Sequence, residues 1–332
     1  MKVFAFEFAS GGGFTGQPLV PGLAREGDLM LRALVDDLAL LPGIEILTSR
    51  DPRLPPLPGI RTIVPSPGED GFALFARGVA ACDAAWPTAP ETGGTLARLA
   101  DETVRQGRTL LGCLPDAVRI AASKRATFHA LRDAGVPVVP TFALADELPP
   151  LHGPWVVKPD DGAGCEDTHL VADWSVARER LQAFPDRLVA QPWIDGTALS
   201  LSLLCAEGRA TLLACNLQHP RVADGEVSVE GITVNAVPDA GGRLAELAAG
   251  IAAALPGLRG YVGVDLIGAP GGPVVLEINP RLTTSYCGLR GALGINVAGM
   301  VLDLLRPAGS ATHGTPGHGT PVTISLGAAG VR

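Results

Sequence analysis

The sequence predicts an α/β protein, with a Rossmann-like N-terminal domain and a C-terminal part of the α+β class. In residues 1–115, short apolar strands alternate with helical segments, which is the pattern of a parallel sheet. From residue 197 onward, apolar segments follow each other across tight turns, as in antiparallel hairpins. Apolar residues make up 47% of the 332 residues, which is enough to build more than one core.

The N-terminal elements follow from their apolar spacing and their breakers. The first strand, 2–8, ends in a glycine turn at Ser10–Gly13, and the helix 25–41 carries leucines at helical spacing until Pro42-Gly43 stops it. The other elements of this part are strands at 44–48, 60–64, 82–86 and 109–113 and helices at 70–81 and 94–106.

The C-terminal elements are expected in a different order. Two apparent hairpins pair 197–205 with 209–216 and 259–267 with 273–278. The other predicted strands are 138–143, 154–158, 187–193 and a closing strand at 321–326, and the predicted helices are 116–121, 124–134, 173–183, 241–254 and 292–305. We divide the chain at 1–115, 116–190, 191–306 and a Gly/Pro-rich tail at 307–332.

Composition excludes several classes of protein. The net charge of −8 argues against a general nucleic-acid binder, which needs a basic surface. No apolar run reaches the roughly 18 residues that span a bilayer, and the six scattered cysteines offer neither a zinc finger nor a disulfide framework. We therefore expect a cytoplasmic protein whose partners are neither nucleic acid nor membrane.

A glycine-rich turn follows the first strand. Gly11-x-Gly13-x-x-Gly16 matches the dinucleotide fingerprint formally, but the expected helix starts only at residue 25 and no acid ends the second strand. The turn is therefore expected to shape a small-molecule pocket rather than to bind NAD. Ser10, Gly11 and Gly12 become candidates for holding a substrate carboxylate, with a purely structural turn as the alternative.

Two carboxylates and an amide mark a candidate metal site. Asp265 lies on one strand of the second hairpin, and Glu277 and Asn279 lie two residues apart on the other, so their side chains share a face. Such oxygen donors suit Mg²⁺ or Mn²⁺, with phosphates and waters as the remaining ligands. The alternatives are a paired structural acid and a solvated strand end.

Two lysines are candidates for binding phosphate. Lys158 ends an apolar strand and is followed by the glycine-rich loop 159–168, a combination that places an ammonium and backbone N–H groups around phosphate oxygens. Lys124 begins a predicted helix. Neither belongs to a Walker motif, and the alternative for each is a solvated side chain.

Taken in order, these motifs resemble those of the ATP-grasp superfamily. The matching segments are SKRATFHALRDAGVPVVPT, VVKPDDGAG, QPWIDG, GYVGVDLI and LEINPR, with LEINPR placing its glutamate twelve residues after Asp265. Within the superfamily, FEFASGGG and TTSY are similar to the branch that holds tyramine–glutamate ligase of methanofuran-type cofactor biosynthesis. The resemblance implies an ATP-grasp fold behind an N-terminal pre-ATP-grasp domain.

The resemblance also implies roles for individual residues. Lys124 and Lys158 would contact ATP phosphates beneath a closing loop that contains Gly162 and Gly164. Asp265, Glu277 and Asn279 would hold the metal, and Arg281 would stabilise the transferred phosphoryl group together with Lys158. The linker residues Gln191, Trp193, Ile194 and Asp195 would hold the adenosine, and Thr283, Thr284 and Ser285 would line the substrate side.

Two positions depart from the resemblance. Gln191 begins the linker where many relatives have glutamate, and Ala198 occupies the position of an acid that contacts the ribose; Asp195 is the candidate replacement. Both departures concern the nucleotide rather than the metal.

The activity implied is an ATP-dependent, ADP-forming ligase that joins a carboxylate to an amine through an acyl-phosphate. Glutamate with tyramine or tyrosine is the expected pair, with Phe14 and Tyr286 as candidates for contacting the aromatic ring. The partners are therefore small-molecule amino acid and amine substrates, and a homodimer is one expected assembly. Two alternatives stay open: another amino-acid or dipeptide ligase of this superfamily, and a non-catalytic nucleotide-binding protein.

Overall fold

Two sheets of different kinds organise the chain, a parallel sheet of five strands and an antiparallel sheet of nine. The structure, a computed structural model, describes residues 1–146, 151–306, 313 and 319–326, and these strand counts refer to that part of the chain. The α/β class with an α+β C-terminal part, as predicted, is confirmed.

The parallel sheet has its longest strand in the middle. Its strand order is β3-β2-β1-β4-β5. The strands are β1 (Lys2–Glu7), β2 (Glu45–Ser49), β3 (Arg61–Ile63), β4 (Ala84–Thr88) and β5 (Thr109–Leu110), and the helices are α1 (Pro21–Ala39), α2 (Gly71–Ala80) and α3 (Thr95–Arg105). Because β1 and β4 are parallel and Glu7 pairs with Thr88 in register, the residues that follow both strands meet at one edge of the sheet.

Several N-terminal elements differ from their predicted bounds, among them β5, which ends at Leu110 rather than at residue 113. Helix α1 begins at Pro21 rather than residue 25, because proline is well accommodated at the first helical position, where its missing N–H costs nothing. Strand β4 lies two residues later than the predicted 82–86.

The antiparallel sheet runs in the order β13-β12-β9-β10-β11-β7-β6-β8, with β14 added beside β11. Its strands are β6 (Trp155–Pro159), β7 (His169–Val171), β8 (Leu188–Pro192), β9 (Thr197–Ala206), β10 (Arg209–Ala223), β11 (Glu226–Val234), β12 (Gly260–Ala269), β13 (Gly272–Asn279) and β14 (Val322–Ser325). The helices of this part are α4 (Pro115–Ala122), α5 (Lys124–Asp133), α6 (Trp174–Ala183), α7 (Arg243–Ala254), α8 (Tyr286–Leu293) and α9 (Val297–Asp303).

The predicted strand 138–143 is absent as a continuous strand. Val138 bridges to Val275 of β13, and Phe142 bridges to Ala190 of β8. This segment therefore spans the gap between the two ends of the antiparallel sheet, and it cannot form a ladder with either. The amide of Gln191 in β8 also donates to the carbonyl of Leu276 in β13 at 3.4 Å, so the sheet curls around an interior.

Other differences concern lengths and breaks. Strand β10 continues seven residues past the predicted 216, and β7 and β11 were not predicted. The predicted helix 292–305 is two helices, α8 and α9, because Gly294 takes a left-handed conformation and the Asn296 side chain caps α9. The predicted closing strand is present as β14, while 307–312, 314–318 and 327–332 lie outside the described residues.

None of the helices in the described ranges combines the length and hydropathy needed to cross a membrane.

The contact between α2 and β1 yields a stability prediction. A Cβ on Gly78 would lie 2.2 Å from the Phe4 ring, whereas one on Gly22, near the start of α1, would meet nothing within 4 Å. We expect Gly78→Ala to lower the free energy of unfolding by about 1–3 kcal/mol through overpacking, and Gly22→Ala to leave it unchanged or raise it slightly. Urea unfolding of both variants checks this, and equal stabilities would contradict the described packing.

Candidate active site

A cavity of about 360 Å³ lies between the parallel sheet with α1 on one side and the antiparallel sheet on the other. Its walls contain most of the side chains that the sequence singled out. These are Lys124, Lys158, Gly162, Gly164, Gln191, Trp193, Ile194, Asp265, Glu277, Asn279, Arg281, Thr283, Thr284 and Ser285.

The two candidate metal carboxylates are direct cross-strand neighbours. Asp265 of β12 pairs with Glu277 of β13 in register, and a register shift follows Asp265. Asn279 lies two residues further on the same face, and its side-chain amide donates to Asp265 at 3.1 Å. Gln218 of β10 donates to the other Asp265 oxygen at 2.8 Å. The site therefore offers two carboxylates and an amide oxygen, which is a set of hard donors suited to Mg²⁺.

Opposite environments act on the two carboxylates. Burial and the adjacent charge of Glu277 raise the pKa of Asp265 to about 7. Burial also works to raise the pKa of Glu277, but the ammonium groups of Lys124 and Lys158 outweigh it and lower that pKa to about 2. The two lysines therefore favour the charged form of Glu277 more than that of Asp265. Among the described residues, no cluster of three or more His, Cys, Asp or Glu side chains adds a further candidate metal site.

The two lysines converge on Glu277 from different elements. Lys124 Nζ lies 3.4 Å and Lys158 Nζ 3.6 Å from a Glu277 carboxylate oxygen, and both lysines are buried. Lys124 also donates to the carbonyl of Gly162 at 2.8 Å. Burial lowers the pKa of Lys158, although Glu277 opposes that shift. These are not solvated side chains, and their charges are directed into the cavity.

Asp160 fixes the start of the glycine-rich loop to α5. Its carboxylate accepts hydrogen bonds from the Ser123 hydroxyl at 2.6 Å and from the Arg125 backbone N–H at 2.8 Å. The Asp160 carbonyl accepts from the Lys124 backbone N–H at 3.0 Å. These bonds at the helix N-terminus bring Lys124 next to Lys158.

The loop beyond Asp160 bends sharply. Gly164, Cys165 and Asp167 all have positive φ angles, a conformation that costs little only for glycine. Burial raises the pKa of the Cys165 thiol to about 12, so this cavity-lining cysteine is a neutral thiol rather than a nucleophile.

Arg281 is held by a residue that the sequence did not reveal. Its guanidinium donates twice to the buried carboxylate of Glu91, from Nε and Nη2, each at 2.9 Å. Glu91 follows β4, so this bidentate pair joins the edge of the parallel sheet to the loop after β13. The geometry is the strong fork-to-carboxylate arrangement, and it orients Arg281 at the cavity wall.

The linker after β8 forms another part of the cavity wall. Gln191 is buried and donates to the Thr141 hydroxyl at 2.9 Å, while Trp193 and Ile194 line the wall. Asp195 is not among the lining residues; its carboxylate accepts a hydrogen bond from the Trp193 indole at 2.9 Å. In the structure, Asp195 therefore positions Trp193 rather than facing the cavity.

Comparisons with known proteins agree with this architecture. Residues 121–285 match the ATP-grasp domain, and residues 44–118 match the pre-ATP-grasp 3 domain. The chain belongs to the ATP-grasp superfamily. A protein from Archaeoglobus fulgidus described as belonging to the same superfamily superposes with a TM-score of 0.76 at 24% identity, covering 98% of this chain and 92% of its own.

Two curated relatives of this ATP-grasp protein are named tyramine–L-glutamate ligase. The one from Methanocaldococcus jannaschii is 31% identical over 54% of this chain, and the match spans about half (49%) of that relative. The one from Methanocaldococcus fervens is 24% identical over 87% of this chain and 89% of its own length. An L-amino acid ligase from Bacillus licheniformis shares the fold, with a TM-score of 0.64 at 20% identity over 92% of this chain and 74% of its own.

The candidate substrate residues of this ATP-grasp protein divide into two groups. The first group lines the cavity and consists of Thr283, Thr284 and Ser285. The Thr283 hydroxyl is hydrogen-bonded to the hydroxyl of Tyr261 at 2.9 Å. The absence of a side chain at Gly263 makes room for Thr283, because a Cβ on Gly263 would lie 2.5 Å from the methyl group of Thr283.

Ser10, Gly11 and Gly12 do not line the cavity, contrary to expectation. Their turn is tucked against its own sheet: the Ser10 backbone N–H donates to Glu7, and a Cβ on Gly11 would lie 2.3 Å from the Glu7 carbonyl. Close packing, rather than substrate contact, accounts for these small residues.

The two aromatic rings expected at the substrate are also placed elsewhere. Phe14 packs edge-on against Phe8 with ring centroids 5.3 Å apart. Tyr286 donates from its hydroxyl to Asp37 of α1 at 2.7 Å. Neither lines the cavity, because each ring is used for packing within or between the two parts of the chain.

Two glutamates that sequence reasoning did not propose do line the cavity. Glu7 lies at the end of β1 and accepts backbone N–H groups of Ala9 and Ser10 at 3.1 and 2.6 Å. Glu26 of α1 accepts the Thr284 hydroxyl at 3.4 Å. Burial raises the pKa of both carboxyls. The charge of Glu7 between apolar residues of a predicted strand was the available signal. Glu26 gave none, because a glutamate in the first turn of a predicted helix is ordinarily a solvated side chain.

The Arg281–Glu91 pair yields a second stability prediction. Removing one partner leaves a buried charge uncompensated, so we expect Glu91→Ala to lower the free energy of unfolding by about 3–5 kcal/mol. The double variant with Arg281→Ala should cost less than the sum of the two single changes. Chemical denaturation of all three proteins measures this coupling.

Glu45→Ala is the matched control, because it removes the partner of an exposed arginine, Arg61, at 3.3 Å. Its cost should stay below about 1 kcal/mol. If the losses in free energy of unfolding for the two single variants simply add in the double variant, the interaction between Glu91 and Arg281 does not stabilise the fold.

Proposed function

We propose that this ATP-grasp protein is an ATP-dependent carboxylate–amine ligase that forms an amide bond through an acyl-phosphate and releases ADP. The observation that carries the proposal is the convergence of Lys124, Lys158 and the glycine-rich loop on the Asp265–Glu277 pair within one cavity. Such a site concentrates charge stabilisation where a terminal phosphoryl group would be transferred.

Asp265, Glu277 and Asn279 would hold the divalent cation, Mg²⁺ or Mn²⁺. The fit rests on their donor chemistry and on the repulsion between two adjacent, half-buried carboxylates, which a bound cation would offset. A bound cation supplies charge neutralisation and Lewis acidity at phosphoryl oxygens.

The remaining residues position and neutralise the nucleotide. Lys124 and Lys158 supply two ammonium groups, and Gly162 and Gly164 allow backbone N–H groups to approach the phosphates. Gln191, Trp193 and Ile194 form the wall proposed to hold the adenine. Arg281, oriented by Glu91, would face the developing charge on the transferred group and on the leaving phosphate.

The chemistry requires no protein nucleophile. A carboxylate is a poor electrophile until it is phosphorylated, and the amine then attacks the acyl-phosphate, forming the C–N bond while the C–O bond to phosphate breaks. The proton that the amine loses in this step is accounted for by the leaving phosphate, which departs as hydrogen phosphate. Correct placement of the reactants supplies much of the rate gain, which agrees with the neutral thiol of Cys165.

The substrate end of the cavity favours ligands with ammonium groups. Glu7 and Glu26 line it, and within the described ranges no basic side chain makes an ion-pair contact with either. Arg281 lowers the pKa of both from a greater distance, against the effect of burial. Acidic side chains in this position attract cationic ligands. Together with the names of the curated relatives, this supports glutamate as the carboxylate and tyramine or tyrosine as the amine, in methanofuran-type cofactor biosynthesis.

The nucleotide product is the first test. With ATP, Mg²⁺, glutamate and tyramine, we expect stoichiometric ADP and phosphate together with an amide of the corresponding mass. Replacing tyramine with hydroxylamine should give a hydroxamate, since this small nucleophile traps an acyl-phosphate. AMP and pyrophosphate would refute the mechanism, ADP dependent on another carboxylate would change only the substrate, and absence of turnover with every pair would indicate a nucleotide-binding protein.

The second test removes the charge of Glu277 from the metal pair. Glu277→Gln keeps the shape of the side chain but removes the charge shared with both lysines, so we expect kcat to fall at least about a hundredfold, since such charge stabilisation is worth several kcal/mol. The control is Glu226→Gln, which alters an exposed carboxylate on β11 and should leave kcat unchanged. Near-normal turnover by Glu277→Gln at limiting Mg²⁺ would overturn the metal assignment.

A further inference from the structure

Part of the cavity wall is apolar and is not accounted for by the nucleotide or the metal. Val227, Val229 and Ile232 of β11, Pro220 of β10 and Leu326 of the C-terminal segment line it. We call these five residues the apolar patch. It carries no ionisable side chain, so its ligand must present an apolar surface.

Leu326 reaches the cavity because the C-terminal segment is fastened to the sheet and to α8. Strand β14 pairs antiparallel with β11. Two further backbone hydrogen bonds hold the segment. The Thr320 N–H donates to the Ala292 carbonyl at 2.9 Å, and the Leu326 N–H donates to the Glu230 carbonyl at 2.8 Å. The position of Leu326 is thus fixed by backbone hydrogen bonds as well as by packing of its side chain against the neighbouring core.

The direction of the segment along α8 brings Leu326 to the substrate end. A Cβ built on Gly291 would lie 3.6 Å from the Val322 side chain. A Cβ built on Gly288, one turn earlier in α8, would lie 3.3 Å from the Ile324 side chain. The segment therefore runs toward the N-terminal end of α8. Thr284 and Ser285, which immediately precede that helix, line the cavity as Leu326 does.

The apolar patch is also separate from the wall proposed for adenine. That wall belongs to β8 and its linker, whereas the patch belongs to β11 and the segment beside it, and β7 and β6 lie between them in the sheet order. On the patch's side, Thr284 donates to Glu26 of α1 at 3.4 Å. Within the described residues no basic side chain makes an ion-pair contact with Glu26. An apolar wall near such a carboxyl group matches a primary amine with an apolar body.

We propose that the C-terminal segment 319–326 forms one wall of the amine subsite, where Leu326, Val229 and Ile232 contact the apolar body of the amine substrate. This inference rests on the proposed ligase function and adds the location and selectivity of its second substrate. The segment then determines which amine is accepted, while the nucleotide and the carboxylate bind elsewhere in the cavity.

Variants at one position test the contact. Leu326→Ala removes apolar contact and Leu326→Asn keeps the size but adds polarity, so both should lower kcat/KM for tyramine about tenfold, the scale of losing a few methylene contacts in an apolar pocket. Leu326→Met conserves volume and should stay near wild type. Ser325→Ala, on the exposed face of the same strand, is the matched control and should change nothing.

A second amine separates selectivity from general damage. Ethanolamine has no apolar body, so its low turnover should be the same in wild type and in all four variants, and the KM for ATP should not change. Equal losses with both amines, or no loss with tyramine in Leu326→Ala and Leu326→Asn, would overturn the proposal. Thermal unfolding of each variant verifies that the fold is retained.

Two further measurements distinguish failure of this inference from failure of the ligase function. Hydroxamate formation from ATP, glutamate and hydroxylamine reports the ligase function without the amine subsite and should be unaffected by Leu326→Ala. Calorimetric titration of tyramine in the presence of ADP and Mg²⁺ reports the subsite without turnover; Kd should rise about tenfold in Leu326→Ala and stay constant in Ser325→Ala. An unchanged Kd in Leu326→Ala would overturn the subsite whatever the activity assay shows.

Discussion

The charge cluster around Glu277 is the interaction on which the rest of the site depends. A carboxylate on β13 would be costly to bury alone, and the two lysines that compensate it come from α5 and β6. The lysines in turn would repel each other without Glu277 between them. The cluster therefore holds a helix, a strand and a hairpin in one arrangement, and Asp160 reinforces it by tying the loop after β6 to the start of α5.

A second set of polar contacts joins the parallel sheet to this cluster. Glu91 holds Arg281, and two residues of α1, Glu26 and Asp37, accept hydrogen bonds from Thr284 and Tyr286. These contacts cross between parts of the chain that are about 190 to 260 residues apart in sequence. The N-terminal sheet and α1 therefore set the side chains at the proposed substrate end, while the antiparallel sheet sets most of those at the proposed nucleotide site.

The sequence was sufficient to predict features that arise from local patterns. The hairpin that carries Asp265 and Glu277 could be inferred because alternation and a tight turn specify it, and Lys158 could be inferred because it ends an apolar strand. Glu91 could not, because its significance lies in a partner 190 residues away. The segment 138–143 looked like a strand since its residues are apolar, but its position between two strands is set by closure of the sheet. Ser10–Gly12 suggested a ligand loop, whereas contacts with Glu7 determine its packing.

The balance of charge in the cavity connects the metal pair to the binding of a nucleotide. Five acidic side chains line the cavity, from Glu7, Glu26, Glu166, Asp265 and Glu277, against three basic ones, from Lys124, Lys158 and Arg281. Burial raises the pKa of Glu7, Glu26 and Asp265, but Glu277 still offsets part of the charge of the two lysines. Arg281 is already neutralised by Glu91, so it cannot offset the phosphates of a nucleotide by itself. A polyphosphate entering this cavity would therefore meet a site that is short of positive charge in a poorly solvated setting, where Coulomb repulsion is strong. Divalent cations between the carboxylate pair and the phosphates would restore the balance, and this makes the proposed metal a condition for nucleotide binding as well as for phosphoryl transfer.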